Sequence, residues 1–379
     1  MKKIILSLVA LFGAMTANAQ ITEAVTATLQ TGENSAVYYG IDALKTALTN
    51  AQDGSIITLS TGTFNVPDNI NKQVKIYGAG MEDDAATGIG KTYLVAGISI
   101  NGVDGVQTDN IYMEGLYING SIYIAATDDD QIENLKVVKC RFAGLDCREN
   151  SNHFILRQCW IEGGIGGSSS VATGMMVQNC FITGRIGGFA TESAVLFDHC
   201  LSVLYTDADY EGNRNGAHFY KNCILRYKDS YHASGLKTGA VAVNCMGCYG
   251  YMKSNGNTLT NCYTDQSSAL PSYQELFADG QNNLDYYITG TTTPRTWALA
   301  APETYVGDDN TQIGPAGGEF AWDIIPSALS NHGSPAPAGM PHMAVSVMPP
   351  ILSLREPAAV MASEIPSALS SSSTGNILL

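Results

Sequence analysis

A cysteine returns about every twenty residues through the middle of this chain: Cys140, Cys159, Cys180, Cys200, Cys223, Cys245 and Cys262. The gaps are 19, 21, 20, 23, 22 and 17 residues, and the local pattern repeats with them, as in LKVVKCRFAG, FILRQCWIEG and MMVQNCFITG. A repeat of this length is one turn of a solenoid, whose units bury their apolar faces only by stacking on one another. The pattern therefore excludes a fold built around one closed core.

Within each repeat, the positions five and three before the cysteine are mostly apolar: Leu135/Val137, Phe154/Leu156, Met175/Val177, Val195/Phe197 and His218/Tyr220. Two after it come Phe142, Ile161, Ile182, Ser202 and Leu225. This is the period of a strand with one buried face. The phase slips just before the cysteine, so the strand must break there. The residue at the break is polar, and four times it is asparagine: Asn179, Asn222, Asn244 and Asn261. Asparagine tolerates the left-handed backbone of a sharp corner. Each repeat reads as strand, corner, strand, with corner asparagines placed to hydrogen-bond along their column. The pattern extends upstream, where DNIYMEGLYING matches ENLKVVKCRFAG with Leu116 in the cysteine slot. Nine or ten coils are expected between about residues 55 and 264, a rod of roughly 45 Å at a strand spacing of ~4.8 Å.

These residues resemble the right-handed parallel β-helix of pectate-lyase-like proteins. The entry segment GIDALKTALTNAQDGSIITLSTGTFNV, followed by VKIYGAG, is similar too. The resemblance implies a short helix over the open end of the stack, with Ile41, Leu44, Ala47 and Leu48 at helical spacing and Asp53-Gly54 as the turn into the first strand. It also implies that DDNTQIGPAGGEFAW (308–322) closes the domain, its Gly-Gly turn ending the stack. It covers about residues 38–325 and speaks to fold, because this architecture hosts lyases, hydrolases, epimerases, adhesins and inert spikes.

Residues 1–19 have the form of a secretory signal peptide: Lys2-Lys3, an apolar run from Ile4 to Phe12, then Ala17-Asn18-Ala19. No later run is long enough to span a bilayer. The expected location is the periplasm, cell surface or exterior. Twenty Lys and Arg against 35 Asp and Glu leave a net charge of −15, which gains nothing from phosphate neutralisation and argues against nucleic acid. Export invites disulfides, but equivalent atoms of successive coils lie ~4.8 Å apart, too far for a Cβ–Cβ distance of ~3.8 Å. The column is expected to be free, stacked thiols, with Cys147 and Cys248 off it. The organisation is then a 1–19 leader, a 20–325 β-helix domain, and a 326–379 tail that holds eight of the thirteen prolines and repeats IPSAL.

Candidate chemistry lies in the two widest gaps. YTDADYEGNRNG follows Cys200 and RYKDSYHASGLKTG follows Cys223. In register, Asp209 and His232 fall nine residues past their cysteines, and Arg214 and Lys237 fall fourteen past. Stacked cations lower each other's pKa, which suits a Lys or Arg base. Asp207, Asp209 and Glu211 offer oxygens for calcium, which would neutralise a sugar carboxylate in a uronate lyase. Tyr205, Tyr227 and Tyr249 are spaced by 22 and 22, a column that either stacks on itself as a structural ladder, the favoured reading, or offers its rings to sugars. His218 stands where other coils place an apolar residue and is expected in the core. The string AATGIGKT (85–92) imitates a phosphate loop but lacks its first glycine. The favoured reading is an exported scaffold that meets a polysaccharide or cell-surface glycan along one face. The alternative is a polysaccharide lyase acting by β-elimination.

Overall fold

The computed structural model describes residues 24–322 except 85–86, 102–107, 125–131, 149, 168–169, 185, 191–192, 205–216, 228–239, 249–257 and 265–297. All of these lie in the first of two compact units, Met1–Asn331; the second, His332–Leu379, lies outside the described residues. The chain is a parallel β-solenoid. One wall is a twelve-stranded sheet running from the entry hairpin to Thr258–Thr260. The strands before each corner, such as Lys136–Val138, Ile155–Arg157 and Met175–Gln178, pair in parallel along it. A thirteen-stranded sheet collects the strands after the corners, and a four-stranded one runs from Thr108–Asp109 to Ala172–Thr173.

All seven residues before the ladder cysteines sit in left-handed backbone: Lys139, Gln158, Asn179, His199, Asn222, Asn244 and Asn261, with φ between 48° and 53°. In the upstream coil Gly115 takes the place at 69°. A left-handed residue turns the chain sharply, so Val137 and Cys140 both point inward although three positions separate them. A second left-handed column, Asn110, Asn134, His153 and Gly174, opens the same strands at their other end.

The corner asparagines are only partly the expected ladder. Asn244 Nδ2 donates to Asn222 Oδ1 at 3.4 Å. Asn179 and Asn222 instead bond mainly to residues 298–322, which do not end the stack. That segment runs back along its flank, antiparallel to its growth. Asp308 meets Asn222 at 2.9 Å, Pro315 and Gly317 accept from Asn179, and Ala321 accepts from Gln158. The buried Asn179 side-chain amide needs acceptors, and the strap's Pro315 and Gly317 carbonyls supply them.

The strap covers a second core outside the solenoid. One residue past five of the ladder cysteines, Trp160, Phe181, Leu201, Ile224 and Met246 pair rung by rung on the outer surface. Leu299, Tyr305 and Ile313 pack on them, and Trp322 donates its indole N–H to the Asn179 carbonyl. Strands buried on both faces read as continuous apolar runs, which accounts for both positions after the cysteine being apolar.

The eight-residue helix Ala43–Asn50 (α1) buries Ala43, Leu44, Ala47 and Leu48 against the entry strands. Ile41 lies before it and is exposed, contrary to the helical spacing read from sequence. Asp53 Oδ1 accepts from Gln73 N at 2.8 Å, fixing the turn into Ile56–Leu59.

Eight described cysteines are unpaired, seven of them buried. Each rung is tied to its neighbours through sulfur: Cys200 Sγ donates to the Val177 carbonyl at 3.2 Å, and Cys200 N donates to Cys223 Sγ at 3.4 Å. Burial pushes Cys140 and Cys147 up to about 12, and lifts Cys180, Cys200, Cys223 and Cys245 as well. Thiolate is the reactive form. The Cys262 thiol is raised too, by its hydrogen bond with Cys245 first and burial next, but it alone of the eight is partly exposed. At pH 8 a maleimide should therefore reach it before any of those six, and label all of them only in denaturant. Mass-spectrometric mapping of the labelled cysteines checks this, and prompt native labelling of Cys200 would contradict it.

Candidate functional site

A bend in the thirteen-stranded sheet shapes the concavity. Tyr117–Ile124 and Arg141–Cys147 run through it, with a register shift between Ile118 and Ser121. The next rungs break there into Trp160–Ile161 with Ile165–Gly167, then Phe181–Ile182 with Ile186–Gly187. Past the bend Ile122, Leu145, Ile165 and Ile186 pair inward and are buried. The alternate, outward row is Ser99, Tyr123, Asp146, Gly166 and Gly187. Side chains thus disappear along the row, leaving a floor of main chain.

The result is a groove of about 450 Å³ lined by Ser121, Asp146 and the glycines at 144, 163, 164, 166, 167 and 187. The floor admits nothing larger. A Cβ on Gly144 would meet the Gly164 carbonyl at 2.9 Å, and one on Gly184 would lie 2.6 Å from Gly163 Cα. At its edge Asp146 Oδ2 accepts from Arg148 Nε at 2.9 Å, and the guanidinium sits over the Tyr123 ring, 5.2 Å from its centroid. An aromatic ring, a guanidinium and a carboxylate therefore border an exposed peptide surface, a set that can stack on and hydrogen-bond a flat polar ring. Sequence reasoning did not single these residues out. The signal was there: GGIGG (163–167) and GRIGG (184–188) repeat glycines at an offset of 21.

A neighbouring cluster is structural. Arg141 is buried between Tyr117 and Trp160, its guanidinium 4.6 and 4.0 Å from their rings. It donates to Glu82 at 2.6 Å and through Nε to Glu162 at 2.7 Å. The two carboxylates raise its pKa against the opposing cost of desolvation, the largest influence on it. Burial first and Glu162 next push the Tyr117 phenol up.

The strap is fixed by a polar set of its own. His199, buried at its corner, has Nδ1 2.9 Å from Asp198 and Nε2 3.3 Å from Asp309, with Gly317 and Gly318 against the ring. Lys221 Nζ lies 3.2 Å from Asp308. Asn222 and Lys221 hold the Asp308 carboxyl below its ordinary value of 3.8, against desolvation, the largest single influence. A depressed carboxyl contributes stability above its unfolded pKa and loses it as pH falls through the folded one. Strap docking should therefore weaken below about pH 4, and Asp308→Asn should remove that part of the dependence. Trp322 fluorescence against pH in wild type and variant is the measurement; identical profiles would refute the assignment.

Lys237, Arg214, His232, Asp207, Asp209, Glu211, Tyr205 and Tyr249 lie outside the described residues. Of Tyr227 only the backbone is described, at the end of the strand Ile224–Tyr227, where it pairs with Leu204. Among the described residues no group of three or more His, Cys, Asp or Glu is placed to hold a metal ion. His218 is buried, edge-on to Phe189 and Phe197, as expected for a core residue. At the phosphate-loop mimic, Asp84 bridges Ile89 and Thr92 donates inward to the Ser60 carbonyl. No helix among the described residues is long and apolar enough to cross a membrane.

Comparison with known proteins gives no matching family model, curated protein or solved structure.

Proposed function

We propose that this chain is an exported β-solenoid scaffold of the pectate-lyase-like kind that binds a glycan along the glycine-floored groove. The observation that carries the reading is the outward row in which Tyr123 and Asp146 give way to Gly166 and Gly187. A sugar ring can lie against main chain there, with the Tyr123–Arg148 plate at one end and Asp146 as acceptor. A chain of net charge −15 repels polyanions at long range, so neutral polysaccharides fit better than polyuronates. Affinity electrophoresis through gels containing neutral β-glucans, galactans, pectate or alginate tests it. Retardation by a neutral glycan is expected, with about tenfold weaker binding in Tyr123→Ala. No retardation in any gel, or retardation indifferent to Tyr123→Ala, would remove the groove from consideration.

A second reading rests on a separate observation. Leu204 and Tyr227 are paired across one rung, and they are the last described residues before 205–216 and 228–239. The sequences that carry Arg214, Lys237, His232 and the calcium candidates Asp207, Asp209 and Glu211 thus follow directly on two paired positions of the sheet. Lyase chemistry there would release unsaturated uronate from an acidic polysaccharide, stimulated by calcium and abolished in Lys237→Ala. Ultraviolet absorbance follows it directly.

A further inference from the structure

The entry hairpin leaves an open sheet edge. Thr26–Thr31 pairs antiparallel with both Asn34–Tyr39 and Ile56–Leu59. Asn34–Tyr39 is the terminal strand of the twelve-stranded wall, and among the described residues nothing pairs with its other side. Natural sheets blunt such an edge with charge, proline or a bulge. This strand, NSAVYY, has none of them, and all but Tyr38 of its residues are exposed. Four large apolar residues of the described surface are exposed, and three of them fall here: Val37 at 46%, Tyr39 at 70% and Ile41 at 47%. Their spacing of two puts Val37 and Tyr39 on one side of the strand, and Ile41 follows in the turn after it.

The hydrogen bonds decide which main-chain groups are open. Gly40 N donates to the Val25 carbonyl at 2.8 Å, while Ser60 N donates to the Thr26 carbonyl at 2.9 Å. Thr26–Thr31 therefore spends its odd-numbered residues on Asn34–Tyr39 and its even-numbered ones on Ile56–Leu59. By alternation, residues 34, 36 and 38 face inward to the hairpin, and Ser35, Val37 and Tyr39 present N–H and C=O outward. Any incoming antiparallel strand must place its own outward residues opposite these three.

We infer that this edge pairs with the same strand of a second copy, joining two solenoids end to end through one continuous sheet. Antiparallel pairing about a two-fold axis is self-complementary. The register that uses the whole strand places Val37 opposite Val37 on the axis and Ser35 opposite Tyr39 on both sides. In that register the paired residues 35–39 bring no charges together; Glu33 and Asp42 fall in the turns that flank the strand. Charge favours this site for self-association: a chain of net charge −15 repels its copy elsewhere, whereas residues 34–41 carry no charge. Tyr39 of each copy reaches diagonally over Val37 of the other, an aromatic and β-branched pairing that sheets favour. The occupant is a copy of this chain and not a foreign strand, because the uncharged patch and the two-fold register satisfy each other without a further sequence.

The test is sedimentation equilibrium on the full-length protein from 1 to 100 µM, with Val37→Lys, Val37→Ile and Ile89→Lys beside it. The wild type should dimerise. Val37→Lys sets two ammonium groups opposite each other on the axis and should raise the dimer dissociation constant at least about tenfold. Val37→Ile should keep the dimer. Ile89→Lys alters the fourth exposed apolar residue, away from the edge, and should leave association unchanged; circular dichroism confirms that each variant is folded. A monomeric wild type at 100 µM, or a dimer indifferent to Val37→Lys, would overturn the inference. Neither outcome bears on glycan binding by the groove, so the two proposals fail separately.

Discussion

Gly184→Ala should be among the most damaging single-methyl changes in the molecule. The added Cβ would lie 2.6 Å from Gly163 Cα and closer still to that residue's carbonyl group. These are main-chain atoms of the adjacent rung, held at the strand spacing by parallel pairing on both sides of the bend. No rotamer change can make room, so the coil must open or the chain must shift. Overpacking against a fixed neighbour costs about 3 kcal/mol, and in a protein of this size that lowers the thermal midpoint by roughly 6 °C. Gly90→Ala is the matched control, because a Cβ there finds its nearest neighbours at 3.7 Å. It should move the midpoint by less than about 1 °C. Differential scanning calorimetry of the pair decides the matter: equal midpoints would mean that the contact of Gly184 with Gly163 tolerates a side chain.

Ile313→Asp should release the strap and leave the solenoid standing. Ile313 is fully buried among Leu201, Ile224 and the other outer-face residues, in a cluster separate from the solenoid interior. An unpaired carboxylate there costs more than about 4 kcal/mol, enough to favour undocking over burial. Undocking bares Trp160, Phe181 and their neighbours. A dye that fluoresces on apolar surface should brighten severalfold, and a protease should cut within 298–322, while far-ultraviolet dichroism stays near wild type. Collapse of the dichroism as well would show that the strap is required for the stack itself. Ile313→Val should cost only about 1 kcal/mol and keep the strap in place.

The coil repeat was legible because its physics is local and periodic. A cysteine, the polar residue before it and the apolar residues around it report a buried position, a left-handed corner and a strand phase. What lay on the outer surface was harder to read, because outward residues obey no repeat of their own. The row from Trp160 to Met246 looked like ordinary strand content; its meaning depended on a segment more than fifty residues further along the chain. For the same reason GPAGG (314–318) looked like a terminator. Glycine and proline signal a turn or a close approach equally well, and here Gly317 and Gly318 lie against the His199 ring. The groove escaped notice because its key feature is missing side chains, which a search for chemical groups passes over. Ile41 was misassigned to α1 because helical spacing alone cannot locate the first turn.

The strap's direction has a consequence in time. The outer row from Trp160 to Met246 is complete long before residues 298–322 exist to cover it. At a synthesis rate of 5–20 residues per second, the interval between Trp160 and Trp322 is on the order of ten seconds. Through that interval the growing rod carries an apolar flank that its own later sequence will shield. A chain that folds in order from its N-terminal end, as it leaves the ribosome or, if exported, as it emerges across the membrane, is therefore most vulnerable to association just before residues 298–322 follow.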